Sequence, residues 1–197
     1  MSQAFEVRPA RVVDAPAISE IYCDTLGPGY TSPAVVAEEL TSGPRAAYFV
    51  AEANGAVEGA ANAVWVPRQE MLEIGNVGFG YVQEEILQLG GGTQRFGLLE
   101  NVGVRAGHRG RGMGSALVEA RLRWLEDQGV GFAYSFAWKT PEGSPAEPLL
   151  LAAGFQRIRE LADFYLEDGL VNGYTCPYHG AECHCSAVLL TRPLPRA

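Results

Sequence analysis

Residues Glu100 to Val118, ENVGVRAGHRGRGMGSALV, constrain this chain more than any other stretch. They begin as an apolar strand, pass through a basic glycine turn, and leave as an amphipathic helix. Gly110, Gly112 and Gly114 let the backbone take dihedrals that a Cβ forbids and pack close to a ligand. The first N–H groups of the helix have no partner within it and form a ready phosphate site. Arg109 and Arg111 add guanidinium donors whose planar fork suits phosphate oxygens. Arg109, Gly110, Arg111, Gly112, Met113, Gly114 and Ser115 therefore read as a pyrophosphate cradle. The stretch from Arg105 to Arg111 holds three arginines and no acid, in a chain whose formal net charge is −8. A plain solvated loop does not explain that local excess.

Two common phosphate-binding turns are excluded. A P-loop needs a lysine before its terminal hydroxyl, and Gly114-Ser115 has none. A dinucleotide fingerprint needs a third glycine where Ser115 stands. The string instead resembles the acyl-CoA motif of the GNAT acetyltransferase superfamily, Gln/Arg-x-x-Gly-x-Gly/Ala, read here from Arg109 to Gly114. Leu99, Val102 and Val104 before it are similar to that family's fourth strand.

The resemblance implies an α/β chain of the α+β type, a single domain over 1–197. Its mixed central sheet has six to seven strands, with strands four and five splayed and helices on both faces. It also implies direct transfer of an acetyl group from acetyl-CoA to a primary amine of a small molecule or peptide, with no covalent enzyme intermediate. The splay admits the pantetheine arm to exposed strand edges, which brings in Val102 and Val104, and the Val104 N–H is the candidate donor to the thioester carbonyl. Glu100 is the candidate base. Strand alternation puts it on the face of Val102 and Val104, where burial raises a carboxyl pKa. A salt-bridged structural glutamate is the competing reading.

The chain before the cradle fits this plan. Phe5 to Arg8 reads as a strand, and Asp14 followed by Pro16 opens a helix with Ile18, Ile21, Tyr22 and Thr25 on one face. Ser32-Pro33 caps a second helix whose Val35, Val36 and Leu40 face inward. The resemblance makes these helices one wall of the acceptor pocket, with Tyr22 and Tyr30 as candidate contacts. Core packing for Tyr22 and a surface position for Tyr30 are the alternatives. Two apolar runs, Ala47 to Ala53 and Val57 to Val66, are joined by Asn54-Gly55, the preferred dipeptide of a type I′ hairpin. Residues 67–97 read as an insertion, with a strand near Val77 to Val82 and a helical piece at Glu84 to Leu89. Its Glu70, Glu73, Glu84 and Glu85 either line an amine pocket or form a solvated surface.

After the cradle, Met113, Leu117, Ala120 and Trp124 form an apolar stripe, and Gly129 ends the helix. Gly131 to Trp138 reads as the fifth strand. Ser144-Pro145 caps a helix ending at Gly154-Phe155, a further family likeness. The family often carries a tyrosine acid four residues before that glycine. Leu150 stands there, so no tyrosine role transfers onto this helix. Tyr134 and Tyr165 are the substitutes to consider, with core packing as the alternative. Phe155 to Arg159, Phe164 to Glu167 and Ser186 to Leu190 read as further strands.

The tail changes character. Cys176, His179, Cys183 and Cys185 make a Cys3His set within 172–186 that resembles a zinc knuckle, with His184 able to replace His179. Four protein ligands leave no open position, so such a metal is structural; iron, free thiols or a disulfide are the alternatives. The acidic balance argues against a nucleic-acid partner, and no apolar run is long enough for a membrane span. No secretory signal is visible, so the expected location is cytoplasmic. Family members often pair, which leaves a homodimer open. Two competing classes remain: a catalytically weak acyl-CoA-binding regulatory module, and a zinc-stapled interaction protein.

Overall fold

The computed structural model describes residues 5–73, 82–173 and 175–195. They form a single α+β domain around one mixed sheet of seven strands in the order β1-β2-β3-β4-β5-β7-β6. The strands are β1 (Glu6–Pro9), β2 (Ala46–Ala53), β3 (Ala56–Pro67), β4 (Arg95–Val104), β5 (Phe132–Lys139), β6 (Gln156–Leu161) and β7 (Ser186–Pro193). The helices are α1 (Ala15–Leu26), α2 (Pro33–Glu39), α3 (Gln83–Leu89), α4 (Met113–Asp127), α5 (Glu147–Ala152) and α6 (Leu166–Asn172). Among the described residues, no helix is long and apolar enough to cross a membrane.

Local chemistry explains most of these boundaries. Asn54 and Gly55 both take positive φ, 52° and 76°, the pair of values that a type I′ turn between β2 and β3 requires. The Ser32 hydroxyl accepts from the Val35 N–H at 3.3 Å and so caps α2. The Asp14 carboxylate accepts two bonds from the Arg8 guanidinium, at 2.7 and 3.0 Å, which ties β1 to the start of α1.

The two faces of the sheet carry separate cores. On one, Leu117, Val118, Leu122 and Leu125 of α4 and Leu150 of α5 pack on Leu99, Ala61 and Ala63. On the other, Ile18, Ile21 and Tyr22 of α1 cover Tyr48, Val50 and Ala60, and Ile86 of α3 covers Phe96 and Leu98. Burying a side chain such as Leu117, 0% exposed, is worth about 1.5–3 kcal/mol. That packing holds the cradle end of α4 against the sheet.

Every pairing is antiparallel except β4 with β5, which run parallel and pair only at Phe96–Phe132, Gly97–Ala133 and Leu98–Tyr134. Beyond Leu98 the two strands separate. The Ser135 hydroxyl donates to the Leu99 carbonyl at 2.8 Å and closes the narrow end of the gap.

Several expectations are corrected. Val35 points outward, 45% exposed, and only Val36 of its pair is buried. Ser144 caps nothing: its hydroxyl is buried without a partner, and α5 starts later, after Ala146. Of the strand expected from Phe164 to Glu167, Phe164 and Tyr165 form a turn and Leu166 and Glu167 open α6, because Asp163 takes positive φ and turns the chain after β6. The strand expected near Val77 to Val82 falls outside the described residues up to 81, and Val82 is the N-cap of α3.

Candidate active site

The gap between β4 and β5 opens where β4 is irregular. Ala63 lies opposite Leu99 and Ala61 opposite Val102, so Asn62 alone faces both Glu100 and Asn101. Two residues against one is a β-bulge, and it reverses the side-chain alternation beyond it. Phe96 and Leu98 therefore lie on the face covered by α3, whereas Val102 and Val104 face α4. Glu100 precedes the reversal and stays on the α1 side. The expectation that it shares a face with Val102 and Val104 is thus wrong, because strict alternation does not survive a bulge.

Asn62, 1% exposed, is the hub of this irregularity. Its Oδ1 accepts from the Asn101 N–H at 3.0 Å and from the Tyr22 hydroxyl at 3.2 Å, while its Nδ2 donates to the Glu100 carboxylate. Behind it lies Arg121 of α4, 1% exposed, whose Nη1 donates at 3.3 Å to the carbonyls of both Asn62 and Asn101. Burial pulls its pKa down to about 10, so it remains cationic at neutral pH. A guanidinium pinned beneath two main-chain carbonyls holds the bulge in one shape.

Glu100 stands in a concavity: protein crowds it, yet its surface is open to solvent. Desolvation pushes its carboxyl above the ordinary range; Asn62 and Arg121 pull the other way, and Glu39 and Asp168 reinforce the rise. The Tyr30 hydroxyl donates to Asn101 Oδ1 at 2.7 Å, so Tyr30 is half-buried beside the bulge and neither a core nor a surface residue. Tyr22 is core, 1% exposed, and the two rings meet edge to face with centroids 6.5 Å apart. Tyr134 is buried at 1% exposure, and the Tyr165 hydroxyl donates to the Phe136 carbonyl at 3.3 Å. Leu150 is core at 3% exposure.

Main-chain N–H groups alternate sides along a strand. Those of Asn101 and Arg105 bond toward β3, to Asn62 Oδ1 at 3.0 Å and to the Glu58 carbonyl at 2.9 Å. Those of Val102 and Val104 consequently face the gap. At its mouth Gly110 and Gly112 take φ of 72° and 87°, and Gly112 is the left-handed N-cap of α4 with no side-chain cap. The first helical bond runs from the Ala116 N–H to the Gly112 carbonyl at 3.0 Å, so the N–H groups of Met113, Gly114 and Ser115 lie ahead of it. Gly114 permits close helix packing: a Cβ there would stand 2.9 Å from Leu149 of α5. Arg109 donates through Nε to the Val104 carbonyl at 2.9 Å, which fixes its charge between strand end and helix start. Arg111 is exposed beside it. Arg105 belongs elsewhere: it pairs with Glu20 at 2.8 Å and lies 3.6 Å from Glu58.

The acids of 67–97 behave as surface groups where pairs are seen. Glu70 bonds Arg45 at 2.6 Å and Glu85 bonds Arg159 at 2.9 Å.

In the tail, the donor atoms of Cys176, His179, Cys183 and Cys185 all lie within 4.8 Å of one another. A tetrahedral zinc ion needs about 3.8 Å between two sulfurs and about 3.6 Å between sulfur and nitrogen. Cys176 and Cys185 sulfurs are 3.9 Å apart, and His179 Nδ1 is 3.8 and 3.5 Å from them. His184 turns away to Asp163, 3.0 Å from its carboxylate, so His179 is the imidazole of the set. An antiparallel bridge between Cys176 and Gly180, with Gly180 at φ 75°, makes the tight turn.

Asn62 and Arg121 escape the sequence reading, although each leaves a trace. Asn62 is the one polar residue between Gly59 and Val66, and Arg121 falls four residues from Leu117 and from Leu125 on the apolar stripe.

The model of the acetyltransferase (GNAT) family matches residues 15–155. No curated protein matches the chain in sequence. Among solved structures, the chain is similar to Arabidopsis thaliana NAA60 bound to a bisubstrate analogue, at 16% identity and TM-score 0.70, covering 98% of this chain and 100% of that one. It is similar to a GNAT superfamily phosphinothricin acetyltransferase from Sinorhizobium meliloti in complex with acetyl-CoA, at 20% identity, TM-score 0.63, and coverage of 98% and 89%. A polyamine N-acetyltransferase of Drosophila melanogaster gives 15% identity, TM-score 0.62, and coverage of 97% and 100%.

Proposed function

The chain belongs to the GNAT acetyltransferase family, and from that premise we propose that it moves an acetyl group from acetyl-CoA directly onto a primary amine of a small molecule or a peptide. The observation that carries this reading is the meeting of three features at one gap. They are the parting of β4 from β5, the inward N–H groups of Val102 and Val104, and the carboxylate of Glu100.

Each feature meets one requirement of the reaction. The N–H groups of Met113, Gly114 and Ser115, with Arg109 and Arg111, suit the pyrophosphate, and Gly110 and Gly112 let the chain curl around it. The Val102 and Val104 N–H groups suit the pantetheine arm and the thioester carbonyl, where the Val104 donor would stabilise the charge that develops on oxygen. Glu100 takes a proton from the ammonium form of the acceptor, directly or through a water. Its raised pKa brings it nearer to an amine's own and suits that transfer. The free amine attacks the carbonyl carbon, the C–N bond forms, and the C–S bond breaks. The attacking nitrogen then sheds its second proton, which neutralises the departing thiolate. No separate acid is needed, which accommodates leucine at position 150.

Burial, and after it the negative charges of Glu100, Asp168 and Glu39, push the Tyr30 hydroxyl upward, and negative charge near the gap suits a cationic acceptor. Thiol release from acetyl-CoA with a panel of primary amines, polyamines, aminoglycosides and peptide N-termini tests the reading. Turnover with a member of the panel supports it. Tight acetyl-CoA binding with no turnover favours instead a catalytically weak coenzyme-binding module, the reading that Leu150 motivates.

The tail reads as a structural zinc site held by Cys176, His179, Cys183 and Cys185. Its support is the agreement of the Cys176, His179 and Cys185 donor spacings with a tetrahedral ion, with Cys183 in the same group of donors within 4.8 Å of one another. Metal analysis of purified protein tests it, and less than about half an equivalent of zinc defeats it.

A further inference from the structure

The cysteine cluster lies against the same elements that wall the gap. Trp138, at the end of β5, and Tyr165, at the start of α6, pack on the three buried thiols. Tyr178 meets the Trp138 ring edge to face at 5.8 Å and donates to Glu142 at 3.0 Å. On the other side, the Thr175 N–H donates to the Pro28 carbonyl at 3.2 Å. Gly27 sits so close beneath that a Cβ would lie 2.6 Å from the Thr175 carbonyl and 3.3 Å from Pro177. Gly27 also takes φ 138°, which a side chain resists. Its carbonyl accepts the Tyr30 N–H at 3.1 Å, and Tyr30 reaches Asn101 beside Glu100. A continuous run of contacts therefore links the cluster to the acceptor side of the gap. The cradle is built separately, from α4 and the end of β4.

We propose that metal held by Cys176, His179, Cys183 and Cys185 fixes the turn from Gly27 to Tyr30 and so shapes the acceptor side of the site, while coenzyme binding is independent of it. This rests on the reading of the tail as a zinc site. The physical reason is the shortness of the loop. Between Thr175 and Cys185 the described main chain makes one internal bridge, Cys176 to Gly180, and a multidentate ion is what holds the remaining donors together. Release of the ion frees Thr175 and Pro177 from Gly27 and Pro28, and the turn bearing Tyr30 loses its backing.

Hydrogen exchange read by mass spectrometry tests this on the full chain. Protein carrying one equivalent of zinc is compared with the same protein stripped by chelator under reducing conditions, and acetyl-CoA is titrated into both. Amides at 27–32 should exchange at least about tenfold faster after stripping, those of α4 should not change, and the acetyl-CoA Kd should stay within about twofold. Gly27→Ala should keep its zinc yet show the same fast turn, since it breaks the docking without touching a ligand. Zinc below half an equivalent in purified protein overturns the metal reading and this inference with it. Stoichiometric zinc whose removal leaves 27–32 unchanged overturns only the inference, as does an unaltered turn in Gly27→Ala. Collapse of acetyl-CoA affinity on stripping also overturns it, because the metal would then support the whole domain.

Discussion

Gly112→Ala isolates what the cradle demands of its backbone. Gly112 has φ 87°, and an added Cβ would find nothing within 4 Å. The methyl group therefore clashes with nothing outside its own residue, and the cost is the dihedral alone, about 1–2 kcal/mol for a left-handed L-residue. That cost can fall in two places. If alanine stays left-handed in the free protein, the fold bears it, offset by about 0.4–1 kcal/mol from the stiffer unfolded chain. The net loss is then about 0–1.6 kcal/mol, at most a fall of a few degrees in Tm for a domain of this size. If the free turn relaxes instead, acetyl-CoA binding must restore it, and Kd rises by roughly 5- to 30-fold. Calorimetric titration with acetyl-CoA and a thermal scan of the same samples read both. Gly107→Ala is the control, since Gly107 has neither positive φ nor a neighbour within 4 Å: its Kd should not move, and its Tm should rise slightly from the stiffer unfolded chain alone. A Gly112→Ala variant that matched Gly107→Ala in both Kd and Tm would refute the claim that the cradle uses a left-handed turn, because the two share the unfolded-state gain and differ only in the dihedral cost. So would a loss of affinity beyond about a hundredfold, which dihedral strain cannot supply.

Glu100→Gln should lower kcat/KM by about 10²–10⁴ while leaving the acetyl-CoA Kd within twofold; an unchanged rate removes Glu100 from the chemistry. The rising limb of the wild-type pH–rate profile should lie above the ordinary glutamate range, because burial raises this carboxyl. The same shift acts on stability. The folded state holds the Glu100 proton more tightly than the unfolded chain does, so its contribution is whole below the unfolded carboxyl value and declines as pH climbs through the raised one. Denaturant melts of Glu100→Gln across that range should show a flatter decline. Asp14 works in the opposite sense: hydrogen bonding to Arg8 holds its carboxyl below the usual value, so its stabilisation is present above the unfolded value and is lost as pH falls. Asp14→Asn should cost about 1.5–3 kcal/mol at neutral pH, a difference that shrinks in acid; a constant difference across the titration would exclude the ion pair as its source. Leu117→Ala, at a side chain 0% exposed, should cost about 2–5 kcal/mol in urea melts, and less than 1 would mean that α4 is not anchored as described.

The segments legible in the sequence are those whose cause is local. Asn54-Gly55 dictates its hairpin, Ser32-Pro33 its helix start, and alternating Gly110 and Gly112 a left-handed turn into α4. Each follows from the dihedral or hydrogen-bonding needs of a few adjacent residues, so each survives without knowledge of the rest. The Cys3His set is legible as chemistry, because its ligands are close in sequence. The choice between His179 and His184 required Asp163, which draws one imidazole away.

What the tertiary structure decided is the floor of the gap. The bulge opposite Asn62 arises from pairing between two strands nearly forty residues apart, and it sends Glu100 and Val102 to opposite faces. Arg121 lies in the core only because the carbonyls of Asn62 and Asn101, brought together by that bulge, accept its donors. Sequence order contains a residue's own preferences; it does not contain the partners that make a buried charge tolerable or a strand break its alternation. Those depend on which distant atoms arrive at the same place, and only the folded chain brings them there.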